Sequence, residues 1–226
     1  MASNTRPGAY KSGRIRKDNE QQILRAAEDE FANHGFKGAS MNSIAVRVGL
    51  PRTNVHYYFK NKLELYMAVL TGIVDLWNDA FSQITPKDDP ADALGAYIRA
   101  KVYYSKTNPQ ASKIFASEII HGGPNLKEYL NKDFGVWLKQ KSMVIDSWIA
   151  QGKMDPVEPF YLIFLIWGAT QYYADFDVEV HAVLGKEQLS EQDYDRIADQ
   201  LTHIILKGCG IKIDDDLLSR DKPINV

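Results

Sequence analysis

The stretch SMNSIAVRVGLPRTNVHYYFKNKLEL, residues 40–65, decides the fold. Ser40 suits a helix N-cap, and Ile44, Ala45 and Val48 follow it as an apolar set that stops at Gly49, so a helix of about two turns is expected. Pro51 stands where the next helix begins, because its fixed φ suits a first turn and its missing N–H is not needed there. That helix carries Arg52 to Phe59. Val55 and Phe59, four apart, face inward, which leaves Arg52, Thr53, Asn54, His56 and Tyr57 toward solvent. Asn61 with Glu64 three residues on is a capping-box arrangement, with asparagine in place of Ser or Thr, and opens a further helix at Lys62.

Working upstream, Ile23, Ala27 and Phe31 recur at steps of four within Asp18–His34, with Leu24 beside them, which is one stripe of an amphipathic helix. Gly35 stops it, since glycine accepts the left-handed conformation that closes a helix, and Phe36 can fold back on the last turn. Two short helices joined by a glycine-containing turn, the second bearing polar and aromatic groups at its start, describe a helix-turn-helix. The chemistry suits DNA. Arg52 can donate a bidentate pair to guanine, and Asn54 or Thr53 can read a base edge. Tyr57, Tyr58, Lys60 and Lys62 suit phosphates, and Ser40 and His56 complete the expected DNA-facing set. Phe59 reads as a core aromatic from its period, whereas Tyr58, flanked by Lys60 and Lys62, is expected at a phosphate.

The charge is distributed to match. The 226 residues hold 27 Lys+Arg and 29 Asp+Glu, but residues 1–62 hold 11 basic and 5 acidic groups and residues 63–226 hold 16 and 24. A basic segment on an acidic body suggests that one end meets a polyanion, although charge alone does not separate this from a chance excess of lysines. With 45% hydrophobic residues and the single Cys209, the composition excludes disorder, collagen-like repeats and a disulfide scaffold. Met1–Lys17 is polar and cationic without the apolar stretch of a signal peptide. The longest apolar run, Phe160–Trp167, falls far short of the roughly 20 residues of a membrane span. A cytoplasmic protein with no membrane partner is expected.

The body also reads as helical, with breaks at Thr85-Pro86, Asn108-Pro109, Gly122-Gly123-Pro124, Gly152 and Pro156 to Pro159, and no credible set of strands. Leu126–Ile149 is expected to be one helix, and Ser190 to cap the last. The alternating Asp175, Asp177, Glu179 and His181 read as a solvated helix end rather than metal ligands. Cys209 lacks a neighbouring histidine, and no P-loop, dinucleotide fingerprint or His-Glu-x-x-His appears. No enzyme activity, cofactor or metal is expected.

The run Phe31-Ala-Asn-His-Gly-Phe36, then Ser40, Ile44-Ala45, Gly49-Leu50, Tyr57-Tyr58-Phe59 and Asn61-Lys62-Leu63-Glu64-Leu65, resembles the N-terminal domain of the TetR family of bacterial transcriptional regulators. The resemblance implies an all-α homodimer with an N-terminal three-helix helix-turn-helix domain and a larger C-terminal helical domain for ligand binding and dimerisation. Over residues 18–211 the chain is similar to a member that regulates pyrimidine utilisation, through Tyr97-Ile-Arg99, Pro109-Gln-Ala-Ser112, Gly152-Lys153 and the run from Leu162 to Phe176. It departs at His56, where an apolar residue is expected, so the operator sequence does not carry over.

That similarity implies a pyrimidine-like effector such as uracil. A planar ring with alternating carbonyls and N–H groups needs aromatic faces and a group that both donates and accepts. Trp167 and Gln171 are four apart on one helix, Trp77 can supply a second ring, and Phe115 and Ser112 are further candidates. The expected organisation is a flexible basic arm at 1–17, a DNA-binding domain at 18–62, an effector and dimerisation domain at 63–211 and a polar tail at 212–226. Dimerisation is expected through the last two long helices, Phe160–Leu184 and Ser190–Gly208. The whole reads as a DNA-binding regulator, a repressor released from a palindromic operator by its effector. The competing readings are a regulator of an unrelated small molecule, a small helical enzyme acting on a pyrimidine-like substrate, and a helical adaptor whose basic end binds a membrane or partner.

Overall fold

The computed structural model describes residues 7–212, with side chains from Ile15 onward. The described residues contain helices and no strand. They divide into two compact units, Met1–Ile73 and Val74–Val226. The division falls inside one helix rather than at the expected 62/63 boundary.

In the first unit, α1 runs Pro7–Gly38, α2 Met41–Val48 and α3 Arg52–Tyr58, and α4 starts at Lys62. The described backbone is already helical from Pro7, so that part of the expected arm is helix; residues 1–6 lie outside the described residues. Gly35, at φ 65 and ψ 175, breaks α1 where the sequence predicts its end. Phe36 then tilts against Tyr66 at 4.9 Å between centroids, and Phe31 meets Tyr66 edge-on at 4.8 Å. Ser40 caps α2 by accepting from the Ser43 N–H at 3.0 Å, and Gly49 closes it in the left-handed conformation. Ile23, Ala27, Phe31, Ile44, Ala45, Val55, Phe59 and Leu65 form the buried side of this unit.

The cap of α4 differs in one detail. Asn61 Oδ1 accepts from the Glu64 N–H at 2.9 Å, but Glu64 Oε2 accepts from the Lys60 N–H at 3.0 Å, one residue earlier than a capping box requires.

In the second unit, α4 ends at Ser82, α5 spans Pro90–Thr107 and α6 Pro109–Ile120. A short α7, Lys127–Tyr129, passes through a π turn at Leu130–Phe134 into α8, Gly135–Ala150, so the single helix expected from Leu126 to Ile149 is interrupted. Then come α9, Pro159–Asp175, α10, Asp177–Leu184, and α11, Glu191–Gly208. The expected continuous helix from Phe160 to Leu184 is broken at Phe176, where φ is −119 and ψ 34. Asp177 Oδ1 accepts from the Val178 N–H next to it at 2.9 Å, a local bond that competes with continuation of the helix. Ser190 and Asp193 form the reciprocal capping box of α11.

Helix α5 lies at the centre, packed on α9 and α11. Its buried face carries Leu94, Tyr97, Ile98, Lys101, Val102 and Ser105, a helical period in which one member is a lysine. Trp148, Ile145, Ile163, Ile166 and Leu206 complete the core around it. Among the described residues, no helix is long and apolar enough to cross a membrane. The tail expected at 212–226, with Asp214-Asp215-Asp216, lies outside the described residues apart from Lys212.

Candidate DNA-reading surface and effector cavity

In the first unit the candidate residues sit on and around α3. Val55 and Phe59 are buried and hold the helix by its inner side, so Arg52, Thr53, Asn54, Tyr57 and Lys60 are exposed. Tyr57 is 70% exposed, and the Arg16 guanidinium lies 5.7 Å from its ring centroid. Arg52 Nε donates to His56 Nε2 at 3.3 Å, and His56 Nδ1 lies 3.1 Å from the Lys60 carbonyl. Together these contacts select the tautomer with the proton on Nδ1 and pre-position the Arg52 side chain along the outer face of α3.

Three members of the expected set have other attachments. Tyr58 is half-buried, and its hydroxyl accepts from Asn19 Nδ2 at 3.3 Å. Ser40 is occupied as the α2 cap and also shares a 2.7 Å hydrogen bond with Ser43 Oγ. Lys62 Nζ donates to the carbonyls of Lys37 at 3.2 Å and Ala39 at 2.9 Å and sits 4.8 Å from the Phe36 ring. It ties together the chain that leaves α1, and its charge is partly satisfied there.

In the second unit a cavity of about 40 Å³ is lined by Val74, Trp77, Asn78, Tyr97, Lys101, Phe115, Phe134, Trp137, Trp167 and Gln171. Four of the five expected effector residues, Trp77, Phe115, Trp167 and Gln171, therefore meet in one place although they come from three helices. That volume is little more than one water molecule's share of the liquid, so a bound ring has to displace side chains. Trp77 and Phe115 meet edge-to-face at 4.9 Å, and Trp167 lies 5.6 Å from Phe134, which is 5.9 Å from Trp137. Trp167 Nε1 donates to the Tyr97 hydroxyl at 2.5 Å, and Tyr97 stacks on Phe81 at 4.1 Å. Burial holds the Tyr97 phenol well above its ordinary range, so it stays protonated. Asn78 is engaged with the Tyr129 hydroxyl at 3.1 Å. The Gln171 amide makes no hydrogen bond among the described residues.

Ser112 is buried but does not line this cavity. Its hydroxyl donates to Asp175 Oδ1 at 2.5 Å, and Lys113 pairs with Asp177 at 2.7 Å. The acidic run at the end of α9 is thus anchored to α6. Burial raises the Asp175 carboxyl, partly offset by the Ser112 bond and by the charges of Lys101 and Lys113.

Sequence reasoning missed Lys101. Its side chain is 1% exposed, its Nζ stands 4.1 Å from the Trp77 ring centroid, and burial lowers its pKa to about 7, with the Asp175 charge opposing. The signal was present in the register, because Lys101 is three residues after Ile98 and seven after Leu94 on an otherwise apolar face. Phe134 and Trp137 were missed as well; they reach the cavity from the π turn and the start of α8.

Comparison with known proteins agrees with this division. A family model described as bacterial regulatory proteins, tetR family, matches residues 23–69, and one described as YcdC-like protein, C-terminal region, matches residues 70–212. The HTH-type transcriptional regulator RutR of Escherichia coli (strain K12) is 38% identical over 84% of this chain and 89% of its own length. The crystal structure of AibR in complex with isovaleryl coenzyme A and operator DNA superposes with a TM-score of 0.59 at 17% identity, covering 82% of this chain and 97% of that one. A TetR-like transcriptional regulator from Rhodococcus sp. RHA1 gives a TM-score of 0.61 at 18% identity, covering 86% and 97%. At such identities the two structures establish the fold alone. With both units matched and its relatives being regulators rather than enzymes, this chain belongs to the TetR family, a DNA-binding, ligand-responsive transcriptional regulator of a kind that works as a dimer.

Proposed function

We propose that this regulator senses a small planar effector of the pyrimidine type and represses genes for the catabolism of that class of nitrogen compound. One observation carries the reading: Trp77, Phe115, Trp167 and Gln171 line a single cavity in which Gln171 is the uncommitted amide. Aromatic walls accept the faces of a flat ring, and an amide pairs with a carbonyl next to an N–H. The similarity of residues 18–211 to a regulator of pyrimidine utilisation supports the same class.

At the other end, Arg52, Thr53 and Asn54 read base edges while Tyr57 and Lys60 contact phosphates. A dimer places two α3 helices about one turn of DNA, ~34 Å, apart or a multiple of it. The exposed apolar side chains of Tyr161, Leu165, Val178, Val183 and Ile204 support α9 to α11 as the face that meets the second copy. Trp77 lies on α4, the helix that begins at Lys62 directly after the DNA-reading segment. An effector that moves Trp77 pivots α4 and alters the spacing of the two recognition helices. Effector and operator then oppose each other by about 1–3 kcal/mol. An operator as partner puts the protein's work in the cytoplasm.

The test is operator binding titrated with uracil. Uracil should release wild-type protein, and Gln171→Ala should bind operator normally while its release shifts to at least tenfold higher uracil. Undiminished release from Gln171→Ala removes the amide from the site, and a release by unrelated small molecules instead of uracil replaces the effector class.

A further inference from the structure

Other lysines that are drawn out of water in this protein have oxygen acceptors, carboxylates for Lys106 and Lys113 and backbone carbonyls for three more. Lys62 donates to two, Lys141 Nζ donates to the Ser82 carbonyl at 2.6 Å, and Lys153 Nζ reaches the Asp88 carbonyl at 3.1 Å. Lys101 is more deeply buried than any of these, yet its Nζ makes no hydrogen bond among the described residues. It stands over the Trp77 ring and lines the cavity together with Gln171. A buried ammonium without acceptors is strongly unfavourable, and a ring face alone recovers only part of that cost. Its ammonium form therefore gains most from an acceptor inside the cavity.

The surroundings narrow the chemistry. No carboxylate lines the cavity, and the Tyr97 hydroxyl already accepts from Trp167. From α9, Asp175 acts on Lys101 through space but spends Oδ1 on Ser112. From α6, Lys113 is paired with Asp177. From α11, Asp199 is paired with Arg99 and Glu191 with Lys106.

We propose that Lys101 is an oxyanion subsite within the effector cavity, so that the effector is a flat ring bearing an anionic oxygen and its binding draws one proton onto the Lys101 amine. This rests on the cavity being the effector site. Without effector the amine is close to half-protonated at neutral pH, because burial lowers its pKa to about 7. An anionic oxygen against it favours the ammonium, so ligand and proton enter together. A cavity of about 40 Å³ favours an oxygen on the ring itself, an imidate or enolate, over a carboxylate carried outside the ring.

Calorimetric titration of the full chain tests this with uracil as the neutral dione, barbiturate as the ring oxyanion, orotate as the ring carboxylate and cytosine as the ring with an amino group in place of one carbonyl oxygen. Barbiturate should bind wild type about tenfold or more tighter than uracil, with cytosine weakest. Its binding should take up about half a proton at pH 7 and close to one at pH 8, read from buffers of different ionisation enthalpy, and weaken about tenfold for each pH unit above 8. In Lys101→Met the preference for barbiturate over uracil should collapse to within about twofold. Orotate outranking barbiturate keeps the subsite and reassigns its occupant to the carboxylate. Uracil binding as well as both anions to wild type, with no proton uptake, overturns the subsite while leaving the cavity as the effector site, and needs no variant to be folded. If none of the four rings binds wild type, the effector reading itself fails and the subsite with it.

Discussion

The first unit turns its candidate groups to solvent, and the second turns them into a cavity. In the first, α3 is seven residues long and buries only Val55, so its polar side chains have nowhere to go except outward. In the second, the candidate groups point inward and come from α4, α5, α6, α8 and α9, with the π turn adding Phe134. A surface that reads a polyanion needs charge kept in water until the partner arrives, and so costs the fold little. A cavity that reads a small ring needs polar groups held out of water, and Lys101 is where that cost is concentrated. The acidic and basic halves of the sequence are the gross form of this contrast; Lys101 is its sharp form, a cation buried in the acidic unit where Arg52 and Lys60 stand exposed in the basic one.

The contrast is broken most directly at Lys101. Its ordinary value of 10.5 falls to about 7 on folding, a gap that corresponds to on the order of 5 kcal/mol at most. Below pH 7 the amine is protonated in folded and unfolded chains alike, and the whole cost of burying the charge is present. Between pH 7 and 10.5 the unfolded chain holds a proton that the folded chain does not, so stability rises with pH through this window. Lys101→Met should therefore be the more stable protein at pH 6, by several kcal/mol, and its advantage should narrow by about 2–3 kcal/mol by pH 9. Urea denaturation of both proteins at the two pH values checks this, and equal stabilities at pH 6 would show the lysine to be satisfied within the fold.

Arg52→Ala comes next in size. Loss of a bidentate base contact should weaken operator binding by about 1–3 kcal/mol and relax discrimination at one base pair, with the fold-change produced by effector unaltered. Electrophoretic mobility shifts on operator and point-substituted duplexes measure both. A parallel loss of effector response would mean that the two units do not divide the work as described.

The smallest effects separate two lysines that look alike in sequence. Lys60→Ala should lower the slope of log affinity against log salt by about 1 without altering stability, as expected of a phosphate contact. Lys62→Ala should leave that slope unchanged and destabilise the protein by about 1 kcal/mol, because its Nζ bonds the Lys37 and Ala39 carbonyls. Salt-dependent binding and thermal melting of the pair distinguish these outcomes.

The local grammar of the first unit was legible because caps act within three or four residues. Ser40, Gly49 and Asn61 each do what their neighbours in sequence imply, and Gly35 and Phe36 end α1 as read. The same reading overextended Leu126–Ile149 and Phe160–Leu184, where apolar periodicity continues through breaks set by a π turn and by the Asp177 side chain. In the cavity, Trp77, Trp167 and Gln171 were legible as aromatic and amide groups of the right kind, while Ser112 turned to Asp175 and Lys101 was overlooked.

By itself the sequence determined the helix-turn-helix, the all-helical body and the split between a cationic reader and an acidic sensor, since periodicity, capping and charge are properties of near neighbours along the chain. Only the tertiary structure decided which side chains share the cavity. Residues as far apart as Val74 and Gln171 meet there because α5 packs between its neighbours, and burial is set by those contacts. Lys101 and Lys106 lie five residues apart on that same helix, one with its ammonium over an aromatic ring and the other paired with Glu191. Nothing in their composition distinguishes them. What differs is the solvent each can reach, and that is fixed by the packing of other helices around α5.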